Sequence, residues 1–447
     1  VPSQSQATNF APHDAQLSAV AKWLSEARPT ADPAVTQRAR LLVLDTLGCA
    51  LAGMRHDEVA AYAARLASGS DVTCPGFPDG LTPSHFGQAM TIAACWDEAC
   101  EGLALAHGRP GLHAVPAAVA LALDTGASLA DTLDALVVGY EIGGRLGAAW
   151  RIRSSMHVDG TWGTLGAAAA AAALLHHRAQ DQILAAIDAA ACMIPASLYA
   201  PARQGATTRN LYAAQAVSRG IETALALAAG VTAPRQTIGE AAALVFDPAQ
   251  AVALAPPGDW LVMQGYFKPF AAVRHVHYGA QAARDWRDQF GNDTASITAI
   301  RLQTYPEAIT YCGNRAPRSA IQAQFSLTYG LAHTLARGDL GPEAYDAAAL
   351  NDPEICRLEA LVVVEETDEF PTGRGVHLSV TAGSGETRVA VDRVDGDPDQ
   401  PMLPDAVVAK FHKFAEPRLG VDAAMALAAR IMEAPLNQPL ATVLNGA

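Results

Sequence analysis

An imidazole and two hydroxyls stand on a glycine-punctuated bend at His157-Val-Asp-Gly160-Thr161-Trp-Gly163-Thr164-Leu-Gly166, and the Ala-rich run Ala167–Ala173 follows at once. Short side chains let helices approach closely, and glycine opens dihedrals closed to other residues. A titratable group at that junction can be held against whatever lies between the helices. Ordinary helix capping is the competing reading. Far along the chain, Lys268-Pro-Phe-Ala-Ala-Val-Arg274-His275-Val-His277 concentrates cations in an otherwise acidic protein. Read as extended, it sets Arg274 with Val276 on one side and His275 with His277 on the other. Such a cluster suits a substrate carrying several carboxylates, each charge-assisted hydrogen bond being worth about 1.5–3 kcal/mol.

Three further groups carry chemistry. The acidic run Trp96-Asp97-Glu98-Ala-Cys100-Glu101-Gly102 leads to His107-Gly-Arg109-Pro110 and His113, and apolar sequence flanks it. A carboxylate beside an imidazole orients the ring and raises its basicity, as general acid–base catalysis requires. Gln204-Gly-Ala-Thr207-Thr208-Arg209-Asn210-Leu-Tyr212 opens a helix, so that backbone N–H groups and a guanidinium can share one anion. Tyr311-Cys-Gly-Asn314-Arg315-Ala-Pro317 is a turn bearing a phenol and another guanidinium. Helical His-x-x-x-His or Glu-x-x-His pairs and a cysteine tetrad are missing, so no metal is expected. Without Gly-x-Gly-x-x-Gly after a strand, a P-loop or Gly-x-Ser-x-Gly, no nucleotide, dinucleotide or serine nucleophile is implied. His, carboxylate, Lys, Arg and Tyr remain. That set abstracts or returns a proton beside a carboxylate and steadies the enolate charge without a cofactor.

The elements that must position these groups are mostly helical. The chain has 447 residues, enough for two or three domains, and half are hydrophobic while only 6% are aromatic. Alanine and glycine dominate the apolar count, which suits closely packed helices better than a β-sandwich. With 31 basic and 45 acidic residues the net charge is −14, which argues against nucleic acid as a partner. Seven scattered cysteines, an odd number, point to reduced thiols and a cytoplasmic setting. Glu101 beside Cys100 disfavours a thiolate there. The opening Val-Pro-Ser-Gln-Ser-Gln reads as a disordered tail. Charges interrupt the Ala-rich runs, so no membrane span is expected.

From about residue 14 to 250 the pattern is helical, including Val35–Leu51, Pro116–Leu123, Leu129–Gly147, Leu165–Leu175, Gln182–Met193 and Leu211–Ala229. After Pro256-Pro257-Gly258 come strand-like segments at Ser296–Thr304, Ala360–Glu366, Val376–Ala382 and Thr387–Asp392, with helices at Gln322–Ala336 and Gly341–Ala348 between them. The turn-rich stretch from Asp395 closes this region, and helices return at Pro404–Phe414 and Val421–Met432. The fold class expected is mostly α. A discontinuous helical body, residues 1–256 and 398–447, is interrupted by an α+β unit, residues 257–397.

Several motifs, in order and spacing, carry a resemblance: Leu42-Val-Leu-Asp45-Thr46-Leu-Gly48 through Gly53; Gly139-Tyr140-Glu141; His157-x-x-Gly160-x-x-Gly163-Thr164; Thr208-Arg209-Asn210; Lys268-Pro269-Phe270 with Arg274-x-x-His277; and Ala323-Gln-Phe325-Ser326-Leu327. On these the chain resembles, over nearly its whole length, the MmgE/PrpD family, which includes 2-methylcitrate dehydratase, cis-aconitate decarboxylase and iminodisuccinate epimerase. The resemblance implies an all-helical body, a smaller α+β lid, an active site between them, and a homodimer. It puts the family's catalytic histidine on His157 and its lid lysine on Lys268. The family's His-Pro step appears with Arg109, unless His107 or His113 takes the histidine's place. A lysine usual in dehydratase and decarboxylase members is Arg209, and Tyr212 stands where those members have His. Arginine stays charged and clamps an anion rather than shuttling a proton, which points to a divergent branch acting on another small polycarboxylate.

The expected function is a cofactor-independent lyase or isomerase acting on a small di- or tricarboxylate, by dehydration, decarboxylation or epimerisation. His157 transfers the proton and Lys268 is the acid or enolate partner. Asp97 or Glu98 tunes an imidazole, and Tyr311 is a further catalytic candidate. Arg109, Arg209 and Arg274 clamp carboxylates, with Glu101, His107, His113, Thr161, Tyr212 and His277 completing the binding site. The rival is a non-catalytic carboxylate-binding or scaffold homologue, with a metal-dependent hydratase a distant third. The spatial expectation is that His157 and Lys268 meet in one crevice.

Overall fold

Residues 10, 12–69, 72–370 and 373–446 are described by the computed structural model; the Val-Pro-Ser-Gln-Ser-Gln stretch lies outside them. Helix α1 (Pro33–Gly53) starts where Asp32 accepts the N–H groups of Ala34 and Val35, at 2.8 and 3.4 Å, with Pro33 in the first turn. Its C-terminal two-thirds is buried on every face, so it runs through the body. Against it lie α2 (Pro83–Trp96), α3 (Pro110–Thr125) and α4 (Leu129–Ala149), while α5 (Trp162–Leu175) packs on α3, α4 and α6 (Leu211–Ala228). The close approach expected of the Ala/Gly sequence occurs between α4 and α5. A Cβ on Gly139 would stand 2.6 Å from the Gly166 carbonyl oxygen, and one on Gly166 would stand 2.9 Å from that of Gly139. Short side chains let α5 bury all its residues from Trp162 to Leu174.

The texture change after Pro257 marks a real change of structure. Among the described residues one sheet forms, of β1 (Ile297–Thr304), β2 (Val362–Glu366), β3 (Val376–Ala382) and β4 (Gly385–Val391), in the order β2-β1-β3-β4. The β1–β2 pair is parallel, joined through helices, and the other two pairs are antiparallel. Helix α7 (Arg274–Phe290) packs on this sheet, with Trp286 Nε1 donating to Thr387 Oγ1 at 2.8 Å. The extended reading of residues 274–277 is therefore corrected: they open a helix, and Arg274 and His277 share a face. The helix expected over 322–336 breaks into Ala320–Gln324 and α8 (Leu327–Arg337), because Ser326 caps α8 by accepting the Tyr329 N–H at 3.1 Å. That expected over 341–348 is a 3-10 turn, Pro342–Tyr345, and a single turn, Ala347–Leu350.

The C-terminal helices α9 (Pro404–Leu419) and α10 (Val421–Glu433) return to the body. Phe411 packs where Gly48 leaves room on α1, and Arg40 donates to the carbonyls of Ile431 and Ala434, both at 2.6 Å. No described helix is long and apolar enough to cross a membrane. The fold is mostly α, as expected, with the small sheet confined to the C-terminal region.

Candidate active site

Five irregular segments converge where helices begin or end. Helix α2 stops at Trp96, and Glu98 follows with a left-handed φ of 53°. Further along, Gly102 and Tyr266 exchange backbone hydrogen bonds of 2.9 and 2.7 Å, which brings Lys268 against the Asp97–Gly102 segment. Arg109 immediately precedes α3, His157 and Asp159 precede α5, and Arg209 lies on the 3-10 turn Thr207–Asn210 before α6.

These side chains form one buried ionic network. Glu98 pairs with three cations: Arg209 Nη2 at Oε1, Arg109 Nη1 at the same oxygen at 3.2 Å, and Lys268 Nζ at Oε2 at 2.9 Å. Lys268 also donates to the Glu98 carbonyl at 2.8 Å. Asp159 pairs with Arg109 and lies 3.4 Å from Arg209 Nη2. The thiol of Cys95 sits between the guanidiniums, 3.2 Å from Arg109 Nη2 and 3.4 Å from Arg209 Nη1. Asn210 Oδ1 accepts from Arg209 Nη1 at 2.9 Å. Charges this deeply buried persist only when paired, and here every carboxylate has at least one guanidinium.

His157 joins the network through both ring nitrogens. Nδ1 accepts the Asp159 backbone N–H at 3.1 Å, and Arg209 Nε stands 3.4 Å from Nε2. The neutral ring has one lone pair and accepts one of these donors at a time, while an imidazolium accepts neither, so the surroundings favour the neutral ring. Burial lowers its pKa, with Asp159 pulling the other way and Arg109 adding to the lowering. Burial, then Arg109 and Arg209, lower the Lys268 ammonium to about 7. Burial by itself would raise Asp159, but Arg109, His157 and His113 hold it down to about 2. The arrangement thus offers a neutral base, a lysine able to gain or lose a proton near neutrality, and two permanent cations.

His157, Lys268, Glu98, Arg109 and Arg209 are brought together; the other nominated residues lie around them. Asp97 Oδ1 accepts from His56 Nε2 at 2.8 Å, so it pairs with an imidazole outside the network. Glu101 accepts the Gly111 N–H at 2.6 Å and braces the start of α3. Burial raises its pKa to about 7. His113 donates from Nδ1 to the Arg109 carbonyl at 3.0 Å, and its Nε2 accepts the Gly160 N–H at 3.4 Å, tying α3 to the His157 bend. The hydroxyls of Thr161 and Thr164 are spent on the Val158 and Gly160 carbonyls, both at 2.6 Å. Arg274 pairs with Asp397, lies over the Tyr266 ring at 4.8 Å, and donates to His277 at 3.2 Å; His277 in turn donates to the Ala272 carbonyl at 3.0 Å. That pair fastens α7 to the turn around Asp397. His107 is exposed at the end of the 3-10 turn Ala104–Ala106.

A ladder of rings leads outward from His157. Tyr199 stacks on it at 5.9 Å and 18°, and Tyr212 lies 5.7 Å away on a tilt. Tyr311, nearly half exposed, meets Tyr199 at 5.9 Å and stacks on His275 at 6.0 Å. Residues from the helical region and from the α+β region therefore meet in one cluster of rings.

Sequence reasoning missed Asp159, Cys95, Asn210, Tyr199 and His56. Asp159 had a signal, a lone acid among small neutral residues two positions from the histidine. Asn210 had one too, standing next to Arg209 in the Thr208-Arg209-Asn210 motif; the other three had none, because their partners are distant in the chain. Cys100 is disfavoured as a nucleophile, as expected, but burial, which raises its thiol to about 11, outweighs Glu101. Cys95, Glu98 and Asp159 place donor atoms within 4.8 Å of one another, a spacing that suits a metal. Each of the three already faces Arg109 or Arg209, and that fixed positive charge opposes a cation in their midst.

Two family models match the chain: the MmgE/PrpD N-terminal domain over residues 18–247 and the MmgE/PrpD C-terminal domain over residues 270–436. No curated protein matches it.

Proposed function

This chain belongs to the MmgE/PrpD family, a dehydratase/lyase-type family, and on that premise we propose that it is a cofactor-independent lyase or isomerase of small di- or tricarboxylates. One observation carries the reading: two permanent guanidiniums and a lysine with a pKa near 7 converge beside a histidine held neutral. In the proposed step the lone-pair nitrogen of His157 gives up its donor, Arg209 Nε or the Asp159 N–H, and takes the proton from the carbon next to a substrate carboxylate. The C–H electron pair moves into that carboxylate, and Arg109 and Arg209 stabilise the enediolate charge. Lys268 then delivers a proton, either to a departing hydroxyl, completing dehydration, or to the carbon from the opposite face, completing epimerisation. In a decarboxylation, the pair left by departing CO2 would take that proton instead. In the protein without substrate, Glu98 holds Lys268 in place. Tyr311 borders the entrance, while Asp97, Glu101, His107, His113, Thr161, Tyr212, Arg274 and His277 shape the surroundings. The same proposal divides the chain into a helical body, 1–256 and 398–447, and a lid, 257–397, and takes the protein to be a cytoplasmic homodimer.

The test is deuterium wash-in, followed by proton NMR, with a panel of di- and tricarboxylic acids in deuterated water. The wild type is expected to exchange one substrate proton, and His157→Asn to lose that exchange by about 10²–10⁴-fold. Full exchange in the variant removes His157 from the reaction. The rival reading, a carboxylate binder without chemistry, draws on Glu98, which already neutralises the cations. It predicts binding with no exchange by either protein.

A further inference from the structure

Glu98 occupies the position a substrate carboxylate would need. One oxygen meets Arg209 and, at 3.2 Å, Arg109; the other meets Lys268 at 2.9 Å. These are the donors assigned above to the substrate, so a ligand carboxylate and Glu98 cannot both use them fully. Asp159 shares the guanidiniums, its own N–H bonds the His157 ring, and α5 begins three residues later; the Glu98 N–H reaches the Cys95 carbonyl at 3.3 Å, and its carbonyl accepts from Lys268. Glu98 lies instead on the irregular stretch after α2, with a φ of 53°. A non-glycine residue keeps that conformation only where its surroundings restrain it, and the contacts of its side chain are with those three cations. Once released, the carboxylate would be hydrated, and the strained backbone would lose the side-chain share of its restraint while keeping its bond to the Cys95 carbonyl.

We propose that Glu98 is a displaceable internal substitute for one carboxylate of the substrate. In the resting protein it keeps the buried cations neutralised. An entering ligand takes over the two guanidiniums and the ammonium, and Glu98 swings out. Because it is tethered, Glu98 competes at a high effective concentration. Only a ligand with more than one anionic group then displaces it readily, which makes Glu98 a determinant of specificity for polycarboxylates. This inference rests on reading the site as a carboxylate binder.

The test compares full-length wild type with Glu98→Gln and Glu98→Gly, the glycine being at ease with the left-handed backbone. Succinate and propane-1,2,3-tricarboxylate serve as probes, with affinity measured by calorimetry and Tm by thermal melting, at about pH 6 so that the lysine stays protonated. Both variants are expected to bind the better probe about tenfold or more tightly than the wild type. The probe should also raise their Tm by more, because a free carboxylate refills the vacated place. A variant unfolded by itself but refolded by the probe supports the proposal; one not rescued counts against it. If the wild type binds a probe and the variants bind it equally or less well, Glu98 is a fixed counter-ion, the proposal fails and the carboxylate reading stands. If no probe binds any of the proteins, the carboxylate reading fails and takes the proposal with it.

Discussion

Like nearby Glu101, Lys268 carries a proton at this site that is exchanged near neutrality. Burial, then Arg109 and Arg209, bring it to about 7, while burial keeps His157 below its ordinary value. With the lysine working protonated and the histidine neutral, kcat/KM should fall on the alkaline side near pH 7, with an acid limb below the ordinary imidazole range. A profile flat from about pH 6 to 9 would remove Lys268 from the acid role. The same shifts bear on stability with opposite signs. An unfolded lysine titrates at about 10.4, so the cost of charging buried Lys268 is full below about 7 and is relieved as pH rises toward the unfolded value. Asp159, held down to about 2, contributes stability that is present above its unfolded value of about 3.9 and is lost as pH falls toward 2.

At the scale of elements, the geometry is decided by irregular segments rather than by helices. The strip carrying Tyr266 and Lys268 is paired with Gly102 in front and backed by the turn at Gly396 behind. Gly396 has a φ of 95°, and a Cβ there would stand 1.9 Å from the Phe267 carbonyl oxygen. Gly396→Ala must therefore push the strip, and Lys268 with it, away from Glu98. The expected result is a kcat lowered by about 10²-fold, as for a roughly 1 Å misplacement, together with a stability loss of about 1–3 kcal/mol for the strained backbone. Steady-state kinetics and denaturant melts on the one variant check both. An unchanged kcat would mean that this turn does not position the lysine.

At the scale of the molecule, the chain's end props up the site. From α9, Lys410 donates to Asp45 on α1 at 2.6 Å and to the Ala99 carbonyl, next to Glu98, at 2.6 Å. The other oxygen of Asp45 accepts the Glu101 N–H at 3.0 Å. Asp45 is fully buried, so Lys410→Met strands its carboxylate and should cost about 3–5 kcal/mol in a denaturant melt. Activity should fall as well, because the Asp97–Gly102 segment loses its support. A variant as stable as the wild type would show that α9 is not coupled to the site.

The family, the mostly helical class and the helices Val35–Leu51 and Leu129–Gly147 were legible in the sequence, because they rest on local periodicity and ordered motifs. So was the approximate place of each strand, from β-branched enrichment. His157, Lys268, Arg109 and Arg209 stood out as residue types that could handle a carboxylate. What each of them touches is a matter of tertiary structure. Residues 274–277 alternate as a strand would, yet they open a helix whose Arg274 and His277, three apart, share a face that meets the turn around Asp397 and the 266–272 strip. Asp97 and Glu98 are neighbours of the same chemistry; the left-handed turn between helices sends one to His56 and the other into the cations. Composition and spacing identify candidate charges, but pairing depends on distances between segments as far apart in the chain as 98, 209 and 268, and only the packed fold sets those.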